Sequence, residues 1–407
     1  MINSKNSRMT TKSANMKKTT TTTNDELDYA YHLEEIALFE ILPRLPIKSI
    51  MRFRLVCKHW RKVITNDFLF ITKQANHGIH SSSNQSAFMY QNRDDSLSVI
   101  SFEDHNRYRL SPSFPPSPRP YSKLLYAGSC NGLVFGFNSF EWIFVGNPIT
   151  HLIDFVDNFH NNDYLSIHGV ALAVEPPNAG PNLKRFKMIR PVHNSNKMTF
   201  NVYCSAKKKW HDSNAHVEMD SKIFSWRSHS PHNVYVKGKV HWFNDKFMVW
   251  FNVREDVAGT IPLPANTGGI TGASVGISDG ELSYCNITID SKLNVWLRRG
   301  EWERLYEVSL DTIIIDNWDV IAPDTAKPMN CGTDFLRDHL VSTMSYEGGD
   351  MLMMSMVTER EKRVFGFNSK TRELKELSAP DLMQSCTSAW PYKAIILSTQ
   401  IGRSKGK

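Results

Sequence analysis

Between residues 33 and 64 the chain carries more apolar positions than three short helices can bury. Leu33, Ile36, Ala37 and Ile41 form one stripe at helical spacing, and Leu38, Leu42 and Leu45 form another on a second face. A helix that is apolar on two faces needs cover on both. Pro43 and Pro46 predict its end, and Pro46 suits the first turn of a second helix carrying Ile47, Ile50, Met51 and Phe53. Val56, Trp60, Val63 and Ile64 predict a third helix, at i, i+4, i+7 and i+8. About 40 residues make a marginal core. The surplus apolar surface is therefore expected to meet another protein, the alternative being a helical hairpin that belongs to the main domain's core.

Beyond a polar stretch at 74–86 the pattern changes to short alternating runs broken by Gly, Pro, Asn and Asp. Only two short helices are expected there, near 306–312 and 333–340. A strand, a polar turn and a returning strand recur in six units that begin at 98, 142, 200, 248, 294 and 363, spaced by 44, 58, 48, 46 and 69 residues. That is close to the roughly 40–50 residues of a four-stranded propeller blade. The first strand of each unit is apolar and aromatic, as an inner strand between neighbouring blades should be. The turn is polar (Asn252–Asp256, Asn368–Thr371), and the second strand ends on Leu263, Leu305 or Leu377. A closed ring leaves no long edge exposed. Two packed sheets are the alternative, with less regular spacing. The expected fold class is α+β and multidomain: a small three-helix domain followed by an all-β domain, a six-bladed β-propeller.

Composition adds boundaries. The 407 residues, 41% of them hydrophobic, are enough for a small and a large domain. The divisions read as a basic tail (1–26), a helical domain (27–73), a linker (74–86), a propeller (87–400) and a second basic tail (401–407). The first tail is rich in Thr, Ser, Lys and Asn and is expected to be disordered. An organelle transit peptide is the competing reading, although the segment has one Arg and no amphipathic stripe. Of the net charge of +7, residues 1–23 carry +5 and the last seven residues +3, leaving the body at −1. The positive charge sits at the ends and not on a folded stripe, which argues against nucleic acid as a partner. No apolar run is long enough to span a membrane, and no apolar segment succeeds the start. Six scattered cysteines without a Cys-x-x-Cys pair suggest reduced thiols, hence cytoplasm and/or nucleus. The sequon Asn286-Ile-Thr288 then has no meaning.

Candidate chemistry is thin. Gly272-Ala-Ser274-Val-Gly276 matches a nucleophile elbow, but residues 277–287 read as a turn and a strand, not the helix that motif requires. His211, His216, His229 and His232 share one polar stretch without the spacing of a zinc site. Gly268-Gly269, Gly272 and Gly348-Gly349 lack a succeeding helix and Lys, and read as hairpin turns rather than a phosphate cradle. The Pro-rich run 112–120 reads as a stiff connector. Trp142, Trp210, Trp242, Trp250, Trp296 and Trp302 recur in the repeats and read as filler between blades. No cofactor, metal ligand or catalytic set is expected.

The run LPIKSIMRFRLVCKHWRKVI (45–64) resembles the F-box of plant F-box proteins. Where that family opens with Leu-Pro before an acidic pair, this chain has His32-Leu33 before Glu34-Glu35. The segments GSCNGLVFGFNSFEWIFVGNPIT (128–150), NVYCSAKKKW (201–210), VYVKGKVHWF (234–243) and WFNVREDVAGTIPLP (250–264) resemble the F-box-associated repeats of the same proteins. The resemblance implies a substrate-recognition subunit of a Skp–cullin–F-box ubiquitin ligase. The F-box docks on a Skp-family adaptor, and through it on a cullin, while the propeller holds a target protein. On this reading the chain makes no bonds itself and acts by proximity. The implied adaptor-binding residues are Leu33, Ile36, Ile41, Leu45, Pro46, Ile50, Phe53, Val56, Cys57, Trp60 and Val63, some of which must also form the block's own core. Arg52, Arg54 and Lys58 are expected at its rim. A propeller scaffold unconnected with ubiquitin and a propeller hydrolase are the rival readings.

Overall fold

The computed structural model describes residues 31–45, 47–67, 69–74, 86–91, 97–101, 107–110, 124–138, 142–147, 152–157, 169–174, 186–194, 196–219, 233–243, 247–264, 271–323, 340–347, 351–357, 362–377 and 389–393. The two basic tails, most of the 74–86 linker, the Pro-rich run 112–120 and all but the last residue of the helix expected near 333–340 lie outside the described residues; that last residue, Leu340, begins a strand.

Among them are 24 strands in six four-stranded antiparallel sheets. Blade 1 joins β1 (Ser86–Gln91), β2 (Leu97–Ser101) and β3 (Arg107–Leu110) to β24 (Ala389–Lys393). Blade 2 is β4 (Leu124–Cys130), β5 (Leu133–Asn138), β6 (Trp142–Asn147) and β7 (Leu152–Asp157). Blade 3 is β8 (Ala171–Val174), β9 (Phe186–Asn194), β10 (Lys197–Cys204) and β11 (Lys209–Glu218). Blade 4 is β12 (Asn233–Val236), β13 (Lys239–Phe243), β14 (Phe247–Asn252) and β15 (Val257–Pro262). Blade 5 is β16 (Thr271–Ser278), β17 (Glu281–Ile287), β18 (Lys292–Arg299) and β19 (Glu301–Ser309). Blade 6 is β20 (Leu340–Glu347), β21 (Met351–Val357), β22 (Lys362–Asn368) and β23 (Leu374–Glu376). The strands β24, β4, β8, β12, β16 and β20 touch in succession and β20 returns to β24, so the sheets close into a ring. The chain forms a β-propeller, shut by pairing its last described strand with its first.

All six repeat units of the sequence fall on the third and fourth strands of a blade. Their apolar first strand is therefore not the axial one, as the pattern suggested, but the one next to the outer edge. The axial strands are crowded and use small residues, as in Ala127-Gly128-Ser129 of β4 and Gly272-Ala273-Ser274 of β16. A Cβ on Gly128 would lie 2.9 Å from the Phe135 ring. Small residues dilute the hydrophobic signal where the strands approach most closely. Three blades turn from first to second strand on the same device. Asn131-Gly132, Lys237-Gly238 and Asp279-Gly280 all have positive φ at both positions, the type I′ hairpin whose twist matches that of the strands.

Blades adhere through aromatic and polar contacts across their seams. Trp242 of β13 stacks on Phe200 of β10 at 5.8 Å, and its Nε1 donates to the Gly169 carbonyl at 2.6 Å. Trp302 of β19 donates to the Pro262 carbonyl at 2.8 Å. Between blades 5 and 6 the wedge is filled by α5 (Leu310–Asp316) and α6 (Trp318–Ile321), whose Leu310, Ile313, Ile314 and Ile321 join the core of both blades. The helix expected over 306–312 thus begins only at Leu310, because 306–309 completes β19. Asn317 fastens these helices to blade 6, donating to the Arg372 carbonyl and accepting from Leu374 N at 2.8 Å.

The buried His241 lies between blades 4 and 5. Burial first, and then the charges of Lys239 and Arg298, push its pKa down to about 4 from 6.5. A depressed histidine contributes stability that is fully present above the ordinary pKa and is lost as pH falls towards the folded one. The propeller is expected to lose up to about 3 kcal/mol from this group between pH 6.5 and 4. Urea unfolding midpoints across that range, measured for wild type and His241→Gln, check it. Equal slopes in both would show that carboxylates alone account for the loss.

Candidate docking surface

The helical block begins with α1, helical over residues 31–36, continued by a π turn at Ala37–Ile41 and a 3-10 turn at Leu42–Arg44. Then come α2 (Ile47–Phe53), α3 (Lys58–Asn66) and α4, helical over 69–74. The two apolar stripes of the first helix part company. Leu38 and Leu42 are buried at 1% and 3% exposure, and with Ile50, Val63, Ile64, Phe70 and Ile71 they make the block's core. Leu33, Ile36 and Ile41 remain about half exposed, at 51%, 49% and 52%.

The α2–α3 turn adds to this open apolar surface. Val56 is 60% exposed, and its neighbour Leu55, at 84%, is the most exposed large apolar residue among those described. Val56 lies outside the third helix, which starts after Cys57. That exposed cysteine caps α3, its Sγ accepting from Trp60 N at 3.4 Å. Around the turn stand the exposed Arg52, Lys58, His59, Arg61 and Lys62. Arg54 is half-buried, with Nη1 on the Met51 sulfur at 3.4 Å and its pKa lowered by burial and then by Arg61.

The residues singled out in the sequence thus divide by burial. Leu33, Ile36, Ile41, Val56 and Cys57 are open to solvent. Ile50 and Val63 are closed in the core. Leu45, Phe53 and Trp60 are half-buried against that core. Trp60 also has an internal role: its Nε1 donates to Glu34 at 2.7 Å and its ring meets Phe53 at 5.7 Å, tying α1 to α3. Pro46 lies outside the described residues. Leu55 escapes sequence reasoning because it sits in a turn, where helical spacing has nothing to say.

The block does not stand apart. One continuous apolar cluster runs from Leu38, Phe70 and Ile71 into Leu133 and Phe135 of blade 2 and Leu172, Phe186 and Tyr203 of blade 3.

Other candidate chemistry resolves into structure. Ser274 lies in the middle of β16, buried, opposite Cys285, to whose thiol its hydroxyl is hydrogen-bonded. Asn286 of the sequon is 1% exposed. His211 and His216 are exposed on β11, and His229 and His232 lie outside the described residues. Gly272 falls within β16 rather than in a hairpin, whereas Gly268-Gly269 and Gly348-Gly349 lie outside the described residues. Trp210 packs on Tyr203 at 5.4 Å, and the Trp142 side chain lies outside the described residues.

The family model of the F-box domain matches residues 32–72, and that of the F-box associated beta propeller domain matches 65–300. The second match spans more than half of the chain. The chain belongs to the F-box-associated propeller family. The two matches overlap at 65–72, within the stretch that joins the helical core to the blades. F-box protein At1g49990 of Arabidopsis thaliana is 27% identical over 181 residues, covering 38% of this chain and 41% of the relative. At3g16210 of the same plant, likewise named for its F-box, is 22% identical over 301 residues, covering 69% and 75%. The chain thus spans well under two thirds of the first of these relatives.

Proposed function

We propose that this F-box propeller protein is the substrate-recognition subunit of a Skp–cullin–F-box ubiquitin ligase. The observation that carries the reading is the separation of the two stripes. One fills the core of the block, and the other, with Leu55 and Val56, stays open on a domain too small to carry idle apolar surface. A Skp-family adaptor covers that face and links it to a cullin, while the propeller holds the target. The chain supplies proximity, raising the effective concentration of a target lysine near charged ubiquitin, and makes no bond itself. Shared packing between block and blades holds the target at a set distance from the adaptor. Cytoplasm and/or nucleus is the expected place of action.

The test is reconstitution. The full chain, mixed with a Skp-family adaptor and cullin, is expected to elute as one stoichiometric complex on size-exclusion chromatography. Separate elution at micromolar concentrations would overturn the ligase reading.

A further inference from the structure

The seam between blades 4 and 5 carries nitrogen donors that its own carboxylates leave unused. Lys239, His241 and Phe243 share one face of β13, and Phe243 meets Tyr284 of blade 5 at 6.0 Å, so that face looks towards blade 5. On the opposing side, Trp296 and Arg298 share a face of β18, with Trp296 packed into the same seam. Lys239 Nζ lies 4.1 Å from the centroid of the Trp250 ring, and the Arg298 guanidinium lies 5.7 Å from that of Trp302. Neither cation has a carboxylate partner among the described residues. Nearby Glu281, Glu303 and Glu307 are engaged by Lys237, Arg299 and Arg304.

Two further buried nitrogens are open, although the backbone of Val234 and Lys239 hydrogen-bonds the His241 ring. His241 Nδ1 and Trp296 Nε1 have no hydrogen-bond partner among the described residues. Buried polar atoms are ordinarily satisfied, so such a pair beside two unpaired cations needs explaining. Trp250 and Trp302 are only half-buried, leaving the mouth of the seam lined by aromatic faces. The Trp250 ring is held flat by Gly259, where an added Cβ would lie 2.7 Å from it.

We infer that this seam is a binding site for an oxyanion of the phosphate class, held by Lys239 and Arg298 with Trp296 as inner donor. An anion there would pair both cations through charge-assisted hydrogen bonds. It would also offset the positive field that, after burial, holds His241 neutral. The site is read on the propeller alone and does not depend on adaptor docking.

Calorimetric titration of the full chain in phosphate-free buffer at constant ionic strength tests the inference, with inorganic phosphate and phenyl phosphate as probes. Saturable binding is expected, weakened about tenfold or more in Lys239→Ala/Arg298→Ala and unchanged in Lys375→Ala, exposed on blade 6 away from the seam. Tighter binding of phenyl phosphate would identify an ester carried against the tryptophans, and equal binding a free ion. Arg298→Gln, which keeps its stem beside Trp302, serves if the double variant fails to fold. No saturable heat in wild type, or equal affinity in wild type and whichever seam variant folds, would overturn the site.

Discussion

Leu55→Asp combined with Val56→Asp is expected to abolish adaptor binding while leaving the chain folded. Both side chains are open, at 84% and 60% exposure, so a carboxylate in either place costs the free protein little. In the complex each would lose about 2 kcal/mol of apolar transfer and add the desolvation of a charge. Together they should weaken the adaptor by about a thousandfold or more. Ile50→Asp makes the contrast. Ile50 is fully buried in the block's core, so its loss of binding would come from unfolding and say nothing about the interface. Trp60→Ala has the same defect, since it releases Glu34 and the Phe53 ring. The readouts are therefore paired: adaptor affinity by surface plasmon resonance, and fold by circular dichroism and thermal melting. If the Leu55/Val56 double variant binds as wild type does, the open apolar face is not the adaptor surface.

The contrast also shows what the sequence could reveal. Helical spacing separated Leu33, Ile36 and Ile41 from Leu38 and Leu42, because a helix writes its two faces into its periodicity. It could not say which face would be covered, since both are equally apolar. Leu55 carried no signal because turns have no period. Blade number was legible from the six strand pairs at the outer edge, where large apolar residues alternate with polar ones. The axial strands were quieter for the opposite reason, small residues packed at close range. Turn chemistry at Asn131-Gly132 and Asp279-Gly280 stands in the sequence, whereas the seam of Lys239, His241 and Arg298 does not. Those three meet only when blades 4 and 5 pack, so no spacing along the chain announces them.

Trp242→Ala is expected to be the most damaging single change in the propeller. The side chain is 1% exposed and sits at the seam of blades 3 and 4, where Phe200 touches both it and Phe251, at 5.8 and 4.9 Å. Truncation removes the largest side chain in that cluster and leaves a cavity whose walls are strands of a closed ring. Such walls cannot collapse inward without pulling neighbouring blades apart. The loss should therefore fall at the upper end of the usual range for Trp→Ala, about 4–5 kcal/mol. Part of it is polar: the Gly169 carbonyl, served by Trp242 Nε1, loses its donor. Gly169 has φ +87° and resists replacement by a compensating side chain. Trp242→Phe separates the two contributions, keeping most of the ring volume and losing the hydrogen bond, for about 1–2 kcal/mol. Chemical unfolding monitored by near-ultraviolet circular dichroism checks both values. A loss below about 1 kcal/mol for Trp242→Ala would mean that the seam relaxes freely and that the ring is not held by interlocked blades.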